Sequence, residues 1–110
     1  MNKILWRATN KLKKKSNLFN YENFLAKNYN YKVTKNYKQL FKWSINNPKL
    51  FWSSIWDYAN VKGIKVNKFK FSKEFIKNRF LVNSKLNFVE NLLSKNDNSK
   101  AITFISESGF

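Results

Sequence analysis

At 110 residues the chain has the size of one domain. Lys and Arg total 22 against six Asp and Glu, a formal charge of +16, yet 43% of residues are hydrophobic and 18% aromatic, which is too apolar for a disordered tail. Cys and His are both absent, which excludes disulfide frameworks, Cys or His metal ligands, a Cys nucleophile and the Ser-His-Asp triad. The start, Met1-Asn2-Lys3, leads into only three apolar residues, Ile4-Leu5-Trp6. An export signal needs an apolar stretch of about 7–15 residues and a mitochondrial presequence is Arg- and Ser-rich, so a cytoplasmic location is expected. No apolar run approaches the ~18–20 residues that span a membrane, and no membrane partner is expected.

Lys11-Leu12-Lys13-Lys14-Lys15 is the one low-complexity stretch and reads as a solvated charged face. Ser16 suits the N-cap of a helix over 17–28, where Leu18, Tyr21 and Leu25 recur at helical spacing beside Phe24. Thr34 suits the cap of a second helix, with Tyr37, Leu40, Phe41 and Ile45 marking one face. Asn46-Asn47-Pro48 ends it. Asn47 fits an N-cap and Pro48 the first helical position, where its missing N–H costs nothing. The spacing predicts a third helix from Pro48 to Ala59, with Phe51, Ile55 and Tyr58 on one face and Trp52 and Trp56 on an adjoining one. So broad an apolar arc predicts a helix sandwiched between partners.

Gly63 can terminate that region. Ile64, Val66, Phe69 and Phe71 suggest short extended pieces, and Ser72-Lys73-Glu74-Phe75 opens a turn of helix. Asn83 or Ser84 suits the cap of a short helix through Leu93, with Leu86, Val89, Leu92 and Leu93 turned inward. Ser94 to Ser99 is polar and reads as a loop. Ala101 to Ile105 is an apolar run of strand type, and Ser108-Gly109 suits a hairpin turn. A lone strand leaves its backbone groups unpaired. The chain is therefore expected to stop where a sheet begins, as a truncated piece or one that pairs with another polypeptide. The fold expected is mostly α, a small helical module with a C-terminal β-strand.

Of the 22 basic residues, 20 are Lys, and Asn numbers 18. Lys, Asn, Ile, Phe and Tyr have the codons richest in A and T, so genomic base composition accounts for much of the charge. The functional alternative is an electrostatic footprint for nucleic acid or an acidic membrane. Aromatic and Lys residues do interleave over 28–42 and 68–80, as on a stacking and phosphate-contacting surface. Only Arg7 and Arg79 offer a guanidinium fork, however, and no nucleic-acid-binding motif is present. Nucleic-acid contact is thus expected to be non-specific, and a small basic nucleic-acid-binding protein or a stand-alone interaction module is the alternative reading. Trp43, Trp52 and Trp56 read as packing residues. Asn87 and Asn91, four apart, read as caps or backbone-satisfying groups. Asp57 and Glu90 read as structural acids beside nearby Lys.

The residues over 37–60 carry a family resemblance. Tyr37-Lys38-Gln39-Leu40-Phe41-Lys42-Trp43-Ser44-Ile45, then Pro48-Lys49-Leu50-Phe51-Trp52, then Ser54-Ile55-Trp56-Asp57-Tyr58 resemble the N-terminal region of acetoacetate–CoA ligase. That enzyme is related to acetyl-CoA synthetase within the adenylate-forming acyl-CoA ligase superfamily. The family runs Tyr-x-x-Leu-x-x-Trp-Ser, Pro-x-x-Phe-Trp and Trp-Asp-Phe/Tyr. Lys85-Leu86-Asn87-Phe88-Val89-Glu90-Asn91-Leu92-Leu93 is similar to its Leu-Asn-Phe/Tyr-Ala-Glu-Asn-Leu-Leu, whose ending favours acetoacetate over acetate as the acid. Ala101-Ile102 and Glu107-Ser108-Gly109 resemble the first strand and turn of the adenylating domain. Ile4-Leu5-Trp6 and Ser16-Asn17-Leu18 fit the family's start. The chain departs from the pattern in two places. Ala8 stands where Pro is common, and Phe80-Leu81-Val82-Asn83-Ser84 replaces Trp-Phe-x-Gly-x.

The resemblance implies a helical N-terminal module over residues 1–99 and the truncated start of an AMP-binding, adenylating domain over 100–110. It implies an enzyme that uses ATP and Mg to convert acetoacetate to an acyl-adenylate and passes the acyl group to CoA. A phosphate loop needs closely spaced glycines, and this chain has only Gly63 and Gly109. No catalytic, cofactor-binding or metal-ligating residue is assigned, and no cofactor is expected for the chain alone. Its expected partner is the remainder of the ligase, and an exposed apolar patch is expected where the two meet.

Overall fold

Thr9 opens the first element of the computed structural model, which describes residues 3–108. Its hydroxyl accepts from the Leu12 N–H and caps α1, Asn10–Lys14. The lysine run is therefore helical, with its cations in the last turn, where they complement the carbonyl end. Ser16 follows as the N-cap of α2, Asn17–Asn28, accepting from the Phe19 N–H at 3.2 Å. The chain leaves α2 through Asn30, which is left-handed at φ 51°, a conformation Asn tolerates better than most residues.

Asn36, not Thr34, caps α3, Tyr37–Asn46, by accepting from the Lys38 N–H. Thr34 cannot cap because Lys35 after it is left-handed at φ 54°; its hydroxyl donates to the Glu22 carboxylate and accepts from the Asn36 N–H. The stop at Asn47-Pro48 forms as the sequence predicts. The Asn47 side chain, however, donates back to the Trp43 carbonyl at 3.0 Å and so closes α3, leaving α4 without a side-chain cap. Pro48 opens α4, Pro48–Tyr58, at the first turn.

The core lies where α2 crosses α4. Tyr21, Leu25, Tyr31 and Leu40 are its buried apolar residues, with Phe24, Trp43, Phe51, Ile55 and Tyr58 packed around them. Ser53 and Ser54 are the buried residues of α4. Their small side chains leave room for the aromatic rings of α2. Tyr21 lies edge-on to Tyr58 at 5.1 Å, Phe24 meets Tyr58 at 5.4 Å, and Tyr21 Oη shares a 2.6 Å hydrogen bond with Ser54 Oγ. Desolvation of Tyr21 raises its pKa above the ordinary value, although the Ser54 bond opposes this. On its other side α4 meets the segment after it, where Ser53 Oγ donates to Asn67 Oδ1 and the Trp52 ring packs on Phe80 at 5.3 Å. The third helix is thus sandwiched, as its broad apolar arc predicts.

Beyond α4 the chain forms a two-residue antiparallel ribbon, β1 (Gly63–Ile64) with β2 (Lys85–Leu86). Gly63 continues the chain there and does not stop it. A Cβ at Gly63 would stand 2.4 Å from the Lys85 carbonyl oxygen, so only glycine permits this approach. Between the strands, Lys70 and Arg79 pair across a hairpin whose tip is a 3-10 turn, Phe75–Lys77. The last helix, α5, runs Phe88–Leu92 with Asn87 as its cap, three to four residues later than Asn83 or Ser84 would place it, because Lys85 and Leu86 are taken up by the ribbon. Asn83 is left-handed at φ 68°, and Ser84 Oγ accepts from the Val66 N–H at 2.8 Å.

The stretch 94–100 is irregular, and no strand forms over 101–105. Ile102, Phe104 and Ile105 are 88%, 80% and 66% exposed. The described chain offers that run no neighbouring strand to exchange backbone hydrogen bonds with, so its strand-type composition has nothing to act on. Gly109, half of the expected turn, and Met1-Asn2 at the start lie outside the described residues. The molecule is mostly α-helical, with one small antiparallel ribbon.

Two whole-molecule quantities set this fold apart from a self-sufficient domain. The Cα radius of gyration is 19.0 Å, against about 13 Å for a compact chain of this length. The accessible surface is 10159 Å², against about 6,400 Å² for a folded monomer of this mass.

Candidate functional site: an exposed apolar docking surface

Many large apolar side chains are exposed, several of them on elements that the sequence pattern marks as inward-facing. On α5 and beside it, Leu86, Val89, Leu92 and Leu93 are all more than half exposed, contrary to the expectation that they turn inward. Phe88 joins them at 74%. The expected face of α3 divides in the same way. Leu40 is buried and packs in the core, whereas Tyr37, Phe41 and Ile45 stand half to two-thirds exposed. The periodicity correctly identifies apolar faces; what is missing is a surface opposite them.

These side chains are held in place and are not fraying. Asn87 Oδ1 accepts from the Glu90 N–H and fixes the start of α5. Asn91 Oδ1 accepts from the Lys62 N–H at 2.7 Å, and Asn91 Nδ2 donates to the Lys62 carbonyl at 2.9 Å. One amide thus satisfies both backbone groups of a residue 29 positions earlier, as a neighbouring strand would, and docks α5 on the ribbon. Both asparagines are caps or backbone partners, as their spacing suggests. Replacing Asn91 with Ala removes two long-range hydrogen bonds at a half-buried site and should cost about 1–2 kcal/mol. Amide hydrogen exchange should then show Lys62 and α5 losing protection while α2 keeps it; uniform loss would contradict the clamp.

The three tryptophans of α3 and α4 sit in the packed part of the molecule, whereas Trp6 is 72% exposed. Trp43 meets Tyr31 edge-on at 5.1 Å, and Trp56 is half-buried. Trp52 is 41% exposed, but it joins Phe51 to Phe80 and from there Phe71 and Phe69 in one aromatic row. Asp57 pairs with Lys65 at 2.7 Å and accepts the Tyr29 hydroxyl. Desolvation works against its charge, but these two partners outweigh it and hold its pKa below the ordinary carboxylate value. Glu90 has no such Lys; it stands in the first turn of α5, near the helix N-terminus. Lys13 and Lys14 line an open cleft of about 730 Å³ together with Leu18, Phe19, Lys35 and Tyr37.

Sequence reasoning missed one group. Glu22, on the helix face that packs inward, is only 4% exposed in a chain of charge +16. Its carboxylate accepts from Tyr31 Oη at 3.0 Å, Thr34 Oγ1 at 3.1 Å and the Lys35 N–H at 3.2 Å. Burial raises the Tyr31 pKa; the Thr34 bond opposes this and the Glu22 carboxylate adds to it. The signal available was position. Glu22 adjoins Tyr21 and lies three before Leu25, on the buried arc of α2.

None of this is a catalytic constellation. Among the described residues no three carboxylates stand together. The one described glycine lies too close to the opposite strand to serve a phosphate-cradling loop. No helix of the described residues is long and apolar enough to cross a membrane. Comparison with models of protein families, with curated proteins and with solved structures finds no match.

Proposed function

We propose that this chain is the N-terminal helical module of an acetoacetate–CoA ligase, and that its work is to dock on the adenylating body of that enzyme. The observation that carries the reading is the exposed apolar surface. The chain exposes roughly 3,700 Å² more than a compact monomer of its mass. A specific interface buries about 800 Å² on each partner, so a large body has ample surface to cover. The clamped α5 and the unpaired run 101–105 supply apolar side chains for it.

A second feature supports the same reading. Asn83 stands where the family's Trp-Phe-x-Gly-x stretch has Gly, and it is left-handed at φ 68°. Gly and Asn are the two residues that adopt this conformation most readily, so the loop keeps the backbone form that the family pattern calls for. The acid, ATP, Mg and CoA belong on this reading to the body, and the module's residues take no chemical step. Its contribution is to bury apolar surface and hold the body's first strand in register.

The test combines purified chain with the body of an acetoacetate–CoA ligase from which the N-terminal hundred or so residues have been removed. A stable complex by sedimentation velocity, with higher thioester yield than the body alone, is the expected result. Chain alone with ATP, acetoacetate and CoA should give no acetoacetyl-CoA. No complex with the body, or steady product from the chain alone, overturns the reading.

A further inference from the structure

The hairpin between β1 and β2 belongs to neither block that carries the family resemblance, and its architecture is unlike the rest of the molecule. Its stem is rigid. Lys70 and Arg79 exchange backbone hydrogen bonds at 2.9 and 2.8 Å, and the Val82 N–H donates to the Lys68 carbonyl at 2.7 Å. Phe71 packs on Phe80, and Phe80 on Trp52 of α4, which fastens the stem to the helical body. The tip is ordered as well. The Ser72 N–H donates to Asn78 Oδ1, the Asn78 N–H to the Phe75 carbonyl, and Arg79 Nη1 to the Ile76 carbonyl.

At the end of that stem two adjacent apolar side chains stand in solvent, Phe75 at 87% and Ile76 at 80% exposure. Five exposed cations flank them, Lys68, Lys70, Lys73, Lys77 and Arg79. The one acid of the segment, Glu74, is paired with Lys77 at 2.8 Å. An apolar tip on a cation-bearing hairpin matches a boundary where apolar material lies just beneath an anionic layer.

We infer that this hairpin is a docking element for an anionic lipid surface, with Phe75 and Ile76 entering the acyl boundary and the flanking cations at headgroup level. Each cation near such a surface adds attraction that decays within a Debye length, and the apolar pair adds a contribution that salt does not screen. A nucleic acid presents the same charge, but the stem's rings are already engaged. Phe69 stacks on Phe71, and Phe71 and Phe80 meet each other. At the tip only Phe75, 87% exposed, offers a ring for a base, and Ile76 offers none. The missing membrane-spanning run concerns insertion across a bilayer and leaves surface contact open. The inference goes beyond the ligase reading and does not depend on it.

A chain of this charge adheres to any anionic vesicle at low salt, so the test must isolate the tip. The chain has no Cys, and Ile76→Cys therefore gives a unique site for an environment-sensitive fluorophore, with Ser99→Cys as the control site on the 94–100 loop. The probes are vesicles of phosphatidylcholine alone and with about one-quarter phosphatidylserine, read at about 0.3 M salt, where charge-only adhesion is strongly screened. The position-76 label should brighten and shift to the blue with anionic vesicles only, and the position-99 label should not. In co-sedimentation with unlabelled chain, Phe75→Ser and Ile76→Ser together should weaken vesicle binding about ten-fold or more, with far-UV circular dichroism unchanged because both side chains are solvent-exposed. Equal response at both labels, a tip variant that binds as tightly as the parent, or a position-76 response to duplex DNA and not to vesicles overturns the inference.

Discussion

Leu25→Ala should strongly destabilise the isolated chain and lower its melting temperature. Leu25 is fully buried, at 0% exposure, and is one of four buried apolar residues. Removing three heavy atoms from such a site costs about 2–5 kcal/mol in transfer and cavity terms. A domain of this size is stable by about 5–15 kcal/mol, and a core this small places the module at the lower end. A loss of about 3 kcal/mol lowers the melting temperature by about 12–24 °C. Thermal melts by circular dichroism should show a broad, early transition. Leu92→Ala is the control: Leu92 is 65% exposed, and its replacement should stay within about 0.5 kcal/mol. If both variants melt alike, the division into a buried α2 and an uncovered α5 is wrong.

Glu22→Ala should be nearly as damaging, for a different reason. The carboxylate serves three donors from the segment that links α2 to α3: the Tyr31 hydroxyl, the Thr34 hydroxyl and the Lys35 N–H. Lys35 is left-handed at φ 54°, so the contact also holds a strained turn. Truncation leaves the buried Tyr31 hydroxyl with only its 3.3 Å contact to Thr34 Oγ1, strips the Lys35 N–H of its acceptor and releases the turn, at a cost of about 2–4 kcal/mol. Glu22→Gln keeps one acceptor oxygen but faces a donor with its amide, and should cost about half as much. The discriminating variant is Glu22→Leu combined with Tyr31→Phe. Replacing both ends of a buried hydrogen bond with apolar groups is far less costly than orphaning one. Urea denaturation should place the double variant closer to the parent than Glu22→Leu alone. A strictly additive cycle would show that the two side chains do not interact.

These two residues also divide what was legible from what was not. Leu25 falls on an apolar stripe whose cap, Ser16, and whose end at Asn28 are read directly from the sequence. Glu22 sits on the same buried arc and was passed over, because nothing in local spacing says that Tyr31 and Thr34 return to meet it. Thr34 shows the converse. Its residue type suits an N-cap, but the left-handed Lys35 beside it breaks the helical path, and the cap falls to Asn36. Asn83 and Ser84 likewise lose the α5 cap to Asn87, because a strand pairing with a partner some twenty residues away occupies the residues between.

The candidate surface was half legible. The resemblance to the acid–CoA ligase module, with its expectation of an exposed apolar patch, came from the sequence, as did the backbone role of Asn87 and Asn91. That Leu86, Val89, Leu92 and Leu93 form part of the patch did not, because periodicity marks an apolar face without saying whether anything covers it. The hairpin tip was recognised only as a turn of helix near Phe75; the antiparallel pairing of Lys70 with Arg79 is what projects it.

The sequence by itself determined helix type over residues 16–59, the Ser16 cap of α2, the break at Asn47-Pro48 and the absence of a His- or Cys-based catalytic group. Those depend on capping, proline placement and 3.6-residue spacing, all within a few residues of the position concerned. The tertiary structure alone decided which apolar faces are buried, where the Glu22 carboxylate is used, that Gly63 must be glycine, and which side chains stand outward. Burial is a property of what lies opposite a residue, and nothing within a few residues along the chain encodes it.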